Sequence, residues 1–146
     1  MSRPGGVRAG SARPRGELAY LDTSAYVKLV LREPESAALA HALERWPARI
    51  SSALLRVEAE RACLRYGAEP WVERARTGFG ALALLPLDDD VLAAAARLQP
   101  PGLRSLDALH LATALSVGRR LGVLFSYDER LCAAAAAAGI AVERPA

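Results

Sequence analysis

The chain has 146 residues, 52% of them hydrophobic and 24% charged, a balance that suits one globular domain with a sizeable core and leaves little room for two. Its two cysteines, Cys63 and Cys132, form no Cys-x-x-Cys pair, and no apolar run approaches the ~18 residues that span a bilayer. A disulfide scaffold, a cysteine zinc site, a secretory leader and a membrane span are all disfavoured, and a reducing cytoplasm fits best.

The net charge of +3 is concentrated in residues 1 to 16, where Arg3, Arg8, Arg13 and Arg15 stand without an acid. Residues 17 to 146 carry a net charge of −1, so charge alone names no nucleic-acid partner. Residues 1 to 16 hold Gly, Pro, Ser and Arg with almost nothing apolar, and are expected to form a disordered tail ahead of a single domain over residues 17 to 146.

The apolar run Leu18 to Leu21 predicts a strand leading directly into a helix, Thr23 to Leu31. Pro34 and Pro47 frame a second helix, Glu35 to Trp46, because the proline ring disfavours continuation. Arg49 to Ser51 reads as a short strand, Ser52 to Tyr66 as a helix stopped by Gly67, and Pro70 to Gly78 as a further helix whose end Gly78 and Gly80 blur. Leu82 to Leu87 is a strand candidate. Asp88, Asp89 and Asp90 then open the helix Val91 to Leu98, and a Pro-Pro-Gly loop leads to a long helix, Ser105 to Arg120. Strand Val123 to Ser126, helix Glu129 to Ala138 and strand Ile140 to Glu143 complete the order. Runs that are apolar on both faces, alternating with helices, indicate strands buried between helical layers. The expected architecture is an α/β sandwich on a five-stranded parallel sheet.

Four of the sixteen acids stand where an acid needs a reason. Asp22 ends the first strand and opens a helix, at the sheet edge where open α/β folds bind ligands, although an N-cap explains the same position. Glu58 shares a helix face with Leu54, Leu55 and Ala62, so it turns inward while Glu60 turns away. A carboxylate there requires a cation or hydrogen-bond donors, and the plain alternative is a boundary residue paired with an arginine. Asp107 complements the dipole in the first turn of an apolar helix, with Ser105 as candidate cap, yet Leu106, Leu109, Leu111 and Ala112 surround it with apolar neighbours. Asp128 repeats the strand, acid, helix grammar of Asp22. Carboxylates that converge without positive partners repel one another and require a bound cation, and all-oxygen ligation selects Mg²⁺ or Mn²⁺. Such an ion clamps a phosphodiester and activates water, which points to metal-dependent phosphodiester hydrolysis.

Four segments carry a resemblance when taken in order: Tyr20-Leu21-Asp22-Thr23-Ser24-Ala25; Glu58 after Ile50-Ser51-Ser52; Ser105-Leu106-Asp107-Ala108-Leu109-His110-Leu111-Ala112-Thr113-Ala114; and Phe125-Ser126-Tyr127-Asp128-Glu129-Arg130-Leu131. Together they resemble the successive motifs of PIN-domain ribonucleases, specifically the VapC-type toxins of toxin-antitoxin pairs, over about residues 18 to 145. The resemblance implies a three-layer sandwich with strand order 3-2-1-4-5 and the acids at its switch point. It implies that Asp22, Glu58, Asp107 and Asp128 are the catalytic and metal-holding quartet, supported by Thr23 and Ser126. It further implies cleavage of RNA with Mg²⁺ or Mn²⁺, a homodimer, and silencing by a cognate antitoxin that fills the groove. The tail departs from the family pattern, whose members start a few residues before the first acid.

Other polar residues have plainer readings. Asp88, Asp89 and Asp90 suit capping and the helix dipole rather than a metal cluster. His110 is expected to hydrogen-bond a nearby carboxylate, His41 to be structural, and Lys28 to pair with Glu33 or Glu35. Glu60 has Arg56 four residues before it, and Glu73 has Arg74 and Arg76 beside it. The rival reading is a non-catalytic PIN-like binding module that keeps the acids for fold or antitoxin docking. A phosphatase-like enzyme acting on small molecules is the weakest reading, because its nucleophile loop is missing.

Overall fold

The computed structural model describes residues 16–67 and 69–146. In chain order the elements are β1 (Leu18–Leu21), α1 (Thr23–Val30), α2 (Ser36–Leu43), β2 (Ala48–Ser52), α3 (Leu55–Tyr66), α4 (Glu69–Gly78), β3 (Ala83–Leu85), α5 (Asp89–Ala95), α6 (Ser105–Leu115), β4 (Leu121–Phe125), α7 (Glu129–Ala137) and β5 (Val142–Glu143). All strand pairs are parallel and the order is β3-β2-β1-β4-β5, as expected. Of the expected tail, only Gly16 falls among the described residues. No described helix is long and apolar enough to cross a membrane.

The alternation of side chains along the central strands builds the layers. Leu18 and Tyr20 of β1 and Leu124 of β4 face one way, into a core with Leu111 and Ala114 of α6 and Leu131, Ala134 and Ala135 of α7. Ala19, Leu21, Val123 and Phe125 face the other way, against Ala25 of α1, Leu39 and Leu43 of α2, and Trp46. A third cluster joins α1 to α3 and α4 through Tyr26, Val30, Leu55, Ala59, Cys63 and Val72. Because both faces of β1 and β4 are covered, their sequences read as unbroken apolar runs.

Helix α5 ends at Ala95 rather than Leu98, and α2 and α6 also end earlier than their sequence patterns predict, the last two for a visible reason. Helix α2 stops at Leu43 rather than Trp46. The Arg49 side chain donates to the carbonyls of Trp46 (2.7 Å) and Leu43 (2.9 Å), satisfying groups the helix leaves open, while the Trp46 ring turns into the core. Helix α6 stops at Leu115 rather than Arg120, because Gly118 takes a positive φ of 59° and starts a short 3-10 turn ahead of β4. From β1 the sheet grows through β2 to β3 on one side and through β4 to β5 on the other. The switch point therefore lies at the carboxyl ends of β1 and β4, where the chain leaves the sheet at Asp22 and Ser126.

Candidate active site

Asp22 closes β1 and caps α1, so the N-cap its position suggested is made at the carboxyl edge of the sheet. Its Oδ1 accepts from the Ala25 amide (2.9 Å) and the Ser24 hydroxyl (2.7 Å), and its Oδ2 accepts from the Ser126 hydroxyl (2.7 Å). The side chain is only 3% exposed, and burial pushes its pKa up against the opposing pull of Ser126, His110 and Ser24. Both serines are themselves fixed by backbone donors from the β4 side: the Tyr127 amide donates to Ser24 Oγ at 2.8 Å and the Asp128 amide to Ser126 Oγ at 3.0 Å. Asp22 is thus held by the ends of two neighbouring parallel strands.

Asp128 caps α7, its Oδ1 accepting from the Leu131 amide at 2.9 Å. Asp107 sits in the first turn of α6. Its Oδ2 is buried and accepts no hydrogen bond, and the group's pKa is raised by burial first and then by the negative charges of Asp128 and Asp22, with Arg104 opposing. These three acids share one electronegative neighbourhood.

Glu58 is differently held. Its Oε1 accepts from Thr23 Oγ1 at 2.5 Å and from His110 Nε2 at 2.7 Å, and His110 Nδ1 lies 2.7 Å from the Tyr20 hydroxyl. Donation from Tyr20 to Nδ1 and from Nε2 to Glu58 satisfies all three groups at once. Burial pushes the Glu58 pKa up, but the bonds from His110 and Thr23 outweigh it and leave it lowered. The inward-facing helical acid is therefore met by an imidazole rather than by an arginine.

An orphaned anionic oxygen beside two further carboxylates is a donor set that suits a hard divalent cation. As the side chains stand, no three acidic, imidazole or thiol groups among the described residues close on one point.

The chain's sequence matches the PIN domain family over residues 19–137. The chain belongs to the PIN-domain family. Within that family it is similar to Ribonuclease VapC46 of Mycobacterium tuberculosis, with 48% identity over 126 residues, 86% of this chain and 96% of that protein. The solved structure of the M. tuberculosis toxin VapC20, which cleaves the sarcin-ricin loop, shares the PIN fold with a TM-score of 0.70 at 17% identity, covering 87% of this chain and 99% of that one. A toxin-antitoxin complex from Klebsiella pneumoniae aligns with a TM-score of 0.63 at 25% identity, over 88% of this chain and 98% of the other. The VapC-type resemblance and the 3-2-1-4-5 sheet read from the motifs both stand.

Two features of this PIN domain escaped the sequence. Arg104, the residue before α6, places Nε 3.7 Å from Asp107 Oδ2 and Nη2 3.6 Å from Asp128 Oδ2. Ser105, expected to cap α6, is instead its first residue, and the N-cap position belongs to Arg104 with no side-chain cap bond. The second feature is which carboxylate His110 meets: it bonds one as expected, and that one is Glu58 of α3. Two of the plainer readings elsewhere match the contacts and one does not. Asp88 caps α5 through the Val91 amide (2.9 Å), and Lys28 pairs with Glu33 (3.1 Å) and Glu35 (2.9 Å). Glu60 pairs with Arg76 across to α4 (3.2 Å) rather than with Arg56.

Proposed function

We propose that this PIN domain, spanning residues 17 to 146, is a VapC-type toxin that hydrolyses RNA phosphodiester bonds with Mg²⁺ or Mn²⁺ and is restrained by a cognate antitoxin. The observation that carries the reading is the buried, unbonded Oδ2 of Asp107 beside Asp22 and Asp128 at the switch point of the sheet. Asp22, Asp107 and Asp128 would hold the ion, with Glu58 at the margin. A bound divalent ion supplies positive charge for the phosphate oxygens and activates water.

The remaining work falls to the chain's own residues. Ser24, Ser126 and the Ala25 amide fix both oxygens of Asp22, so its direction is set before anything binds. Thr23 and His110 hold Glu58 ionised and aligned, which suits it to orient the attacking water and take up its proton. The ribonuclease names of its relatives support RNA as substrate, and the Klebsiella complex supports an antitoxin partner. A homodimer belongs to the same reading, supported by the exposed apolar side chains Leu92 on α5 and Leu106 and Leu115 on α6.

Calorimetric titration with Mn²⁺ and cleavage of a labelled RNA test the reading together. Asp107→Asn is expected to weaken Mn²⁺ binding by about 100-fold and abolish cleavage with the fold unchanged by circular dichroism. Wild-type cleavage by that variant overturns the reading. One observation favours the rival, a non-catalytic module: the acids, as they stand, do not close on a single point. That rival predicts no Mn²⁺ binding and no cleavage that EDTA removes.

A further inference from the structure

Arg104 is the only arginine among the described residues that pairs with two of the four acids. It reaches them from outside, from the end of the Pro100-Pro101-Gly102 loop, and its side chain is 66% exposed while those of Asp107 and Asp128 are 15% and 24% exposed. The geometry is that of a stand-off. At 3.7 and 3.6 Å the guanidinium attracts both carboxylates through charge, yet neither contact is a hydrogen bond, and the Asp107 oxygen it faces accepts none. An arginine committed to a structural pair would dock bidentately, and this one does not. Its length and exposure let it leave without disturbing α6, whose first-turn backbone bond runs from the Ala108 amide to the Arg104 carbonyl and does not involve the side chain.

We propose that Arg104 is an exchangeable counter-ion. It neutralises the Asp107–Asp128 pair, yields that pair to a divalent cation, and then meets the phosphate of the RNA at the mouth of the site. The proposal rests on the metal-dependent RNA-cleaving reading and adds to it a residue outside the acidic quartet that links cation entry to substrate capture. The chemistry requires no new group, because a guanidinium forks onto phosphate as readily as onto carboxylate.

The test uses the full chain with Arg104→Gln, Arg104→Lys and, as an exposed control, Arg97→Gln. Mn²⁺ affinity is read by calorimetry without RNA. Arg104→Gln is expected to bind Mn²⁺ about three- to tenfold more tightly, the range that two exposed ion pairs are worth, with Arg104→Lys and Arg97→Gln near wild type. Affinity for a fluorescein-labelled RNA of about 20 nucleotides is then read by anisotropy in Ca²⁺. Here Arg104→Gln is expected to weaken binding about three- to tenfold and to reduce the salt slope by about one. A residue with only a structural role moves both affinities in the same direction or neither, so opposite movement is the signature. Mn²⁺ binding that is unchanged or weaker in Arg104→Gln overturns the proposal and leaves the metal-dependent reading intact, and unchanged RNA affinity overturns it as well. A wild-type chain that binds no Mn²⁺ overturns both.

Discussion

His110 Nε2 lies 2.7 Å from Oε1 of Glu58, across 52 positions of sequence, and ties the second turn of α6 to the first turn of α3. The imidazole is 3% exposed and is braced on its other side by the Tyr20 hydroxyl of β1. A buried chain of this kind is worth most when every member is present.

Replacing His110 with Ala takes a partner from two groups at once: the Tyr20 hydroxyl loses its acceptor, and Glu58 Oε1 keeps only the Thr23 hydroxyl. The expected cost is about 2–4 kcal/mol of stability, the range for two buried polar groups losing a partner. Turnover is expected to fall further than RNA affinity, because Glu58 loses its alignment and not its charge. Thermal denaturation and a split of kcat from KM check both.

Asp22 and Asp107 have raised pKa values in the folded protein, so between the ordinary carboxylate value, about 4, and their raised folded values the native state binds more protons than the unfolded one. Their contribution to stability therefore declines as pH rises through that window, and the full penalty is present above it. Asp107→Asn removes one share of it. The variant is expected to melt above wild type at pH 7 in EDTA, with the gap narrowing as the pH falls toward the ordinary carboxylate value. Glu58 has the opposite sign, since its lowered pKa stabilises the protein above the ordinary carboxylate value and is lost as pH falls through the folded value. Melting curves of wild type, Asp107→Asn and Glu58→Gln from pH 8 down to about pH 3 show whether the signs hold.

Ser126→Ala deletes the donor to Asp22 Oδ2 and the acceptor of the Asp128 amide. Since that hydroxyl favours the charged form of Asp22, its loss raises the pKa further. The acid limb of the pH–rate profile is expected to move to higher pH, with stability reduced by about 1–3 kcal/mol. An unmoved acid limb would show that Asp22 does not govern it.

Gly122 in β4 is a backbone approach rather than a turn. A Cβ there would collide with the Gly16 carbonyl oxygen and with the Trp46 ring. Gly122→Ala is expected to cost about 2–4 kcal/mol through overpacking, read as a lowered denaturation midpoint at unchanged m-value. A truncation that begins at Gly16 keeps this contact, so loss of residues 1 to 15 is expected to leave stability, toxicity and neutralisation unchanged. Growth assays with and without the antitoxin check the last two.

The parts of the fold legible in the sequence are those that one segment encodes by itself. Leu18-Ala19-Tyr20-Leu21 followed by Asp22 shows both the buried strand and the acid at its end, and Ser126 to Asp128 repeats the pattern. The inward face of α3 is likewise a matter of local period, which is why Glu58 stood out against Glu60. What pairs with what across the chain is not local. The sequence of α6 shows that His110 wants a carboxylate, but not that the carboxylate is Glu58 of α3. Arg104 was one of many arginines in an arginine-rich chain, and nothing in its immediate sequence marks a side chain that reaches α7 as well as α6. The early end of α2 depends on an arginine from β2, again a partner that periodicity cannot supply.

The four acids enter the fold at positions 22, 58, 107 and 128, on both sides of a sheet whose central strands are β1 and β4. No partial chain can assemble them, because Asp22 loses its Ser126 donor until β4 has docked beside β1. On the proposed reading, a nascent chain that ends before α7 is therefore expected to leave RNA uncut. On the same reading, this order of assembly delays any hazard until the chain is long enough to be captured as a folded whole.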